Sequence, residues 1–289
     1  MILQRWLVTL RATRGRIASL RPENVHSLLS SWFDARDATE EQGTPGPAAN
    51  RGVDHHGPQP YCLAGAISSE GDLLHLPIGF AGVDLSALLT ERAPFGPVLR
   101  YSRKTASVVR DDTLEVVGLR LLRRETISDL WAAGRGATGW RVDFMSPAIN
   151  RRYHTHYECL SGFEKLVGKA HRSVTDPGFR ASGDPELVRI LSELTTVRLA
   201  DQVLLTHQEL RTKVTAKVKW ADEASTTAIP GTIGRAEWQL HPGKDPRPLH
   251  TVLMLGEYTG VGTRTSYGFG AVKVTPLFGA RIPSGVGRP

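Results

Sequence analysis

Two histidines stand side by side at positions 55 and 56 in VDHHGPQPY, inside a Gly- and Pro-rich stretch that runs into a strand pattern at Tyr61. Side chains on such a loop can reach a bound chain. An imidazole, with an ordinary pKa of roughly 6.5, can accept and release protons near neutrality. The chemistry this suggests is general acid–base catalysis. Metal chemistry is not indicated: there is no His-Glu-x-x-His, no acidic cluster on facing elements, and the two cysteines, Cys62 and Cys159, lie far apart. No metal and no other cofactor is expected. Of the remaining histidines, His75 and His250 sit in apolar runs and read as structural. His154, His156, His207 and His241 read as exposed polar positions.

Basic residues supply the second kind of chemistry, neutralisation of a phosphate. In RTKVTAKVKW a period of two puts Arg211, Lys213, Lys217 and Lys219 on one face, at about 7 Å intervals that suit a phosphate backbone. A lysine-protected edge strand would show the same pattern. In FEKLVGKAHR, Lys165, Lys169 and Arg172 share one helix face, with Arg151 shortly upstream. The chain carries 36 Lys and Arg against 29 Asp and Glu, a net charge of +7. The excess points to a polyanionic partner, unless it reflects only a general Arg-rich composition.

The third feature is GVGTRTSYGFGAVKV, with Gly260, Gly262, Gly268 and Gly270 around Arg264. It lacks the Gly-Lys-Ser/Thr end of a Walker loop, and it closes a helix and opens a strand where a dinucleotide fingerprint does the reverse. Glycines here let backbone come close to a phosphate or to a neighbouring element.

The elements that must position these residues follow from periodicity. QRWLVTLRA alternates as a strand, and ENVHSLLSSWFDA places Val25, Leu28, Leu29 and Trp32 on one helix face. YCLAGAI and LLHLPIGF form a hairpin across SSEGD, VDLSALLTERA is a second helix, and VLRYSRKTASVV with TLEVVGLRLLRR returns to strand. This order is the ferredoxin-like βαββαβ pattern. It recurs after a small-residue junction near residue 135. WRVDFMSPA is a strand, CLSGFEKLVGKAHRSV a helix, RTKVTAKVKW and GTIGRAEWQL two strands, PLHTVLMLGEY a helix, and AVKVTPL the last strand. DPELVRILSELTTVRLADQVLL adds one or two helices. The expected fold is α+β, two tandem ferredoxin-like (RRM-like) domains over 1–135 and 136–289. No apolar window approaches the roughly 18 residues of a membrane span, and the start lacks a secretory pattern, so a cytoplasmic protein without membrane contact is expected.

GTIGRAEWQL followed by LMLGEYTGVGTRTSYGFGAVKV resembles the closing signature of the CRISPR-associated endoribonucleases that process precursor CRISPR RNA, members of the RAMP superfamily. WRVDFMSPA resembles the strand opening their second domain. The resemblance implies two ferredoxin-like domains, with repeat RNA bound across their basic faces. It also implies cleavage without metal, by attack of the neighbouring 2′-hydroxyl, leaving a 2′,3′-cyclic phosphate and a 5′-hydroxyl on a guide crRNA. The family places its histidine a few residues before the strand that here begins at Tyr61, the position of His56 or His55. A lysine usual just after it is replaced by Gln59 and Pro60, so the partner group is sought among His26, Tyr61, Lys104 and Arg264. Expected partners are CRISPR repeat RNA and crRNA, other subunits of a CRISPR effector complex, and a second copy of the chain. Two other readings fit the same fold: a non-catalytic RNA-binding subunit, and a small-nucleotide enzyme, since a fold does not fix a function.

Overall fold

The protein is described from a computed structural model, which places residues 2–12, 22–33, 61–82, 86–92, 96–105, 108–153, 156–160, 162–175, 184–218, 227–263 and 265–279. Two antiparallel sheets organise these residues, each with helices packed on it. In the first, strand β1 (Ile2–Ala12) is central and pairs on one side with β4 (Leu73–Ala81) and on the other with β6 (Val108–Thr126). Strands β2 (Tyr61–Leu63) and β3 (Ser68–Glu70) pair with β4, and β5 (Gly96–Thr105) pairs with β6. The path β2-β4-β1-β6 is the ferredoxin-like order, with β5 added at the edge. Ser68–Glu70, expected as part of a turn, is a short strand, and the turn itself narrows to Gly71 at φ 62°.

The alternation read in β1 holds: Val8 and Leu10 are buried on the core face. Against them packs helix α1 (Pro22–Phe33), whose Val25, Leu28, Leu29, Trp32 and Phe33 are buried. Phe33 seats the helix between Tyr61 and Phe80, with ring centroids 5.0 Å from each. Helix α2 (Ser86–Arg92) adds Leu89 to the same core.

The second sheet runs β11-β7-β10-β9, with β7 (Gly139–Tyr153), β9 (Val203–Val218), β10 (Thr227–Leu240) and β11 (Val272–Leu277). This is again the ferredoxin-like order. A short strand β8 (His156–Cys159) folds back on β7. Strand β9 starts eight residues before the expected Arg211, because Val203 to Leu210 continue the ladder with β10 as far as Leu240. Helices α4 (Phe163–Thr175), α5 (Pro185–Glu193) and α6 (Thr196–Ala200) precede it, and α7 (Pro246–Thr259) leads to β11. Helix α3 (Ile127–Ala133), absent from the periodicity reading, is started by a Thr126–Asp129 capping box. It buries Ile127 and Leu130 with Trp140 and Leu249 of the second sheet's core.

Helix α7 is buried from Leu249 through Thr259, with no exposed face. A helix apolar or buried all round must be covered on both sides. Its second cover is the first sheet. A Cβ on Gly79 of β4 would lie 2.6 Å from the Tyr258 carbonyl oxygen, so only glycine allows the approach. Cys62 donates from Sγ to the same carbonyl at 3.1 Å. Glu257 of α7 faces Arg5 of β1 and Arg123 of β6 at 3.7 Å each, and it accepts from the Val274 amide of β11 at 2.6 Å. Burial pushes the Glu257 carboxyl upward against the pull of that amide and the two arginines. No helix among the described residues is long and apolar enough to cross a membrane.

Candidate active site between helix α1 and the glycine loop

The loop after α7 is built from backbone contacts. Gly260, Gly262, Gly268 and Gly270 all have positive φ, from 69° to 90°. Gly270 shows why no side chain fits: a Cβ there would stand 1.9 Å from the Val261 oxygen. Val261 and Gly270 are bound directly, N to O at 2.8 Å, and Gly270 donates in turn to Pro147 of β7 at 3.0 Å. Thr263 donates to Ile149 of β7 at 2.9 Å. At Gly268 the close neighbours belong to the other half of the molecule, Leu63 of β2 at 3.0 Å and Val25 of α1 at 3.8 Å from a built Cβ. The approach to a facing element, one of the two uses expected of these glycines, is therefore seen.

Between Gly262 and Gly268 a single 3-10 turn, Thr265–Tyr267, presents Tyr267 to α1. There the phenol ring stacks on the His26 imidazole, with centroids 3.9 Å apart and planes 17° apart. Both residues are partly exposed. Among the described residues, His26 is the sequence-predicted histidine that the fold brings to the glycine loop. Tyr267 was missed. The signal available for it was an aromatic residue set between the two glycine pairs of GVGTRTSYGFG.

Lys169 of α4 also converges here. Its stem is partly exposed, but its ammonium donates to the Thr259 carbonyl at the end of α7 and to Thr265 Oγ1 at the start of the 3-10 turn. Burial presses this ammonium down to about 8, a fall that Cys62 resists and Arg172 adds to. Burial also pushes the Cys62 thiol up to about 11, against the pull of Lys169 and Arg5. Lys165 and Arg172, expected on the same face as Lys169, are exposed.

The other basic set is elsewhere. Arg211 and Lys213 are exposed on β9, the edge strand, with β10 between them and the β7 strand that carries the glycine loop. Lys217 lies on the same strand and Arg151 on β7. His55, His56, Lys219 and Arg264 lie outside the described residues. Among the described residues no group of three or more His, Cys, Asp or Glu could hold a metal ion.

The family model for the CRISPR-associated endoribonuclease Cas6 matches residues 142–272. Over these residues, a little under half of the chain, the sequence is similar to the Cas6 family. The match begins in β7 and ends at the first residue of β11, so it takes in the glycine loop and Lys169 but not α1. No curated protein matches the chain. Among solved structures, a Cas6 (TTHA0078) product complex aligns at TM-score 0.62 and 18% identity, covering 95% of this chain and all of that one. A substrate-mimic complex of the same Cas6 aligns at 0.60 and 17% identity, over 95% of this chain and 100% of that one. Thermus thermophilus Cas6 (TTHB231) aligns at 0.51 and 15% identity, over 95% and 98%. At such identities the likeness is one of fold, and it reaches across both sheets. The double ferredoxin-like architecture of the Cas6 proteins is the architecture of this chain.

Proposed function

We propose that this chain is a metal-independent endoribonuclease that cuts CRISPR repeat RNA and releases crRNA. The observation that carries the reading is the His26–Tyr267 stack, which sets an imidazole on the glycine loop of the family's matched region. The relatives of like fold have been captured with product and with a substrate mimic, in keeping with an RNA substrate. In the proposed reaction the 2′-hydroxyl oxygen attacks the adjacent phosphorus and its proton passes to a base. The P–O5′ bond breaks, and the 5′-oxygen takes up a proton. The products are a 2′,3′-cyclic phosphate and a 5′-hydroxyl. His26 serves as the proton-transfer group, since imidazole is matched to this task near neutrality. Tyr267 fixes its plane, and Arg264 in the same loop supplies charge to the phosphorane. Halves 1–135 and 136–289 each give one side of the site. Arg211, Lys213, Lys217, Lys219, Lys165, Arg172 and Arg151 bind RNA backbone beyond it. CRISPR effector subunits and a second copy of the chain remain proposed partners.

The test uses purified protein, its cognate repeat RNA and EDTA. Cleavage by the parent, lost by about 100-fold or more in His26→Ala and retained in a His55→Ala, His56→Ala double variant, supports this assignment. The reverse pattern moves the acid–base role to the 34–60 segment. Tight binding without cutting by the parent makes the chain an RNA-binding subunit instead.

A further inference from the structure

Lys169 is a lysine whose charge is turned inward, at the place where α4, α7, the 3-10 turn and β2 converge. One acceptor is the Thr259 carbonyl, at the C-terminal end of α7 where carbonyls lack helical partners and the dipole favours a cation. The other is the hydroxyl of Thr265, five residues beyond Gly260. The two bonds close the Gly260–Thr265 excursion at both ends. Two residues after Thr265 comes Tyr267, and next to it Gly268, which packs on Leu63. Leu63 follows Cys62, the β2 residue whose thiol donates to the Tyr258 carbonyl, next to Thr259. Arg172, one turn along α4, is a charged group acting on the ammonium.

We propose that Lys169 is a positioning residue that staples the end of α7 to the 3-10 turn within the glycine loop and thereby holds Tyr267 flat against His26. The proposal rests on the nuclease reading only for its effect on catalysis. The effect on the stack stands apart from it. Lys169 donates to Thr259 and Thr265. It acts through Thr265 and the short turn, whose backbone is tied by Gly268 N to Thr265 O at 3.1 Å. A lysine suits the task because its ammonium can donate to two acceptors of different kind at once. Burial lowers the proton affinity of that ammonium, which donates to the helix-end carbonyl and to the hydroxyl.

The experiment compares Lys169→Met, Thr265→Val and Thr265→Ser with the parent. Thr265→Val keeps shape and removes one acceptor, and Thr265→Ser restores the hydroxyl. The first readout is the carbon-bound proton resonances of the His26 ring, identified by their loss in His26→Gln. Stacking on Tyr267 displaces them upfield, and Tyr267→Leu supplies the unstacked value. Lys169→Met and Thr265→Val should move the His26 signals toward that value, while Thr265→Ser leaves them in place. The second readout is single-turnover cleavage set against RNA affinity. The first two variants should lose about 10- to 100-fold in rate, the scale of a misplaced reacting group, with Kd within about threefold. Unmoved His26 signals in a folded Thr265→Val protein overturn the proposal, whatever Lys169→Met does to folding. A parent that cuts no RNA overturns the nuclease reading, and the resonance readout then still decides the staple.

Discussion

The Tyr258 hydroxyl donates to the Glu125 carboxylate at 2.5 Å, tying the last turn of α7 to the end of β6. Glu125 is also held by Arg123 at 2.7 Å. The phenol reaches a charged acceptor in a largely buried setting, and bonds of this kind are worth about 1.5–3 kcal/mol. The carboxylate pushes the Tyr258 hydroxyl far above the ordinary phenol range, after burial itself. Tyr258→Phe should lower unfolding free energy by about 2 kcal/mol in a denaturant titration. The loss should shrink in an Arg123→Ala, Tyr258→Phe double variant relative to the sum of the singles, because both residues act on one carboxylate.

His250 gives stability a pH dependence. It is 2% exposed, and its Nδ1 accepts from the Trp140 indole at 3.3 Å. Burial, with help from the Arg123 charge, presses its pKa down to about 4 from 6.5. The folded state thus resists a proton that the unfolded chain takes up. This group's contribution is whole above about 6.5 and is lost as pH falls toward about 4. On 1.36 kcal/mol per unit, the loss is on the order of 3 kcal/mol. His250→Gln should be less stable than the parent at neutral pH and show a shallower fall in unfolding free energy across that window. Parallel curves would disprove the assignment.

Two glycines with nearly equal φ separate strain from space. Gly136 has φ 78° and nothing within 4 Å of a built Cβ, whereas Gly270 has φ 69° and the Val261 oxygen at 1.9 Å. Gly136→Ala should cost about 1–2 kcal/mol, the penalty of a left-handed conformation. Gly270→Ala must also displace backbone and should cost at least about 2 kcal/mol more. Thermal melts of the two variants, read against the parent, give the comparison.

Arg211 and Lys213 are exposed on an edge strand and offer charge without a fixed partner geometry. If they bind phosphates, alanine at both should weaken repeat-RNA binding across sequences alike. It should also lower the slope of log affinity against log salt by about one for each phosphate no longer neutralised. An unchanged slope would leave them as guards of a free edge.

The fold was legible because each layer announces itself by period. Trp6, Val8 and Leu10 alternate, and Val25, Leu28 and Leu29 recur at helical spacing. The order of such elements suffices for two ferredoxin-like sheets. Strand β9 was read short because Leu204 to Leu210, on an edge with both faces exposed, have no buried face to impose alternation. Helix α3 was overlooked because at seven residues it spans barely two turns, and its support comes from tertiary contact with α7. The site was legible in its parts but not in its union. His26 was noticed on its helix and the glycines in their loop, yet nothing in the letters says that residues 26 and 267 share a stack. Lys169 illustrates the converse. Its spacing with Lys165 and Arg172 suggested one solvent face, and what turns its end inward is the pair of acceptors on a segment some ninety residues later.

The absent methyl at Gly79 bears on how the two halves of the molecule meet. With the Tyr258 carbonyl standing where a side chain would begin, β4 and α7 touch backbone to backbone, and the two halves keep a fixed gauge along that line. If the chain cuts repeat RNA as proposed and strand β9 holds it, selection falls to the ligand's own contour. An RNA of the right width between its cut site and that edge would be measured much as a calliper measures a rod, and one that lacks it would be passed over.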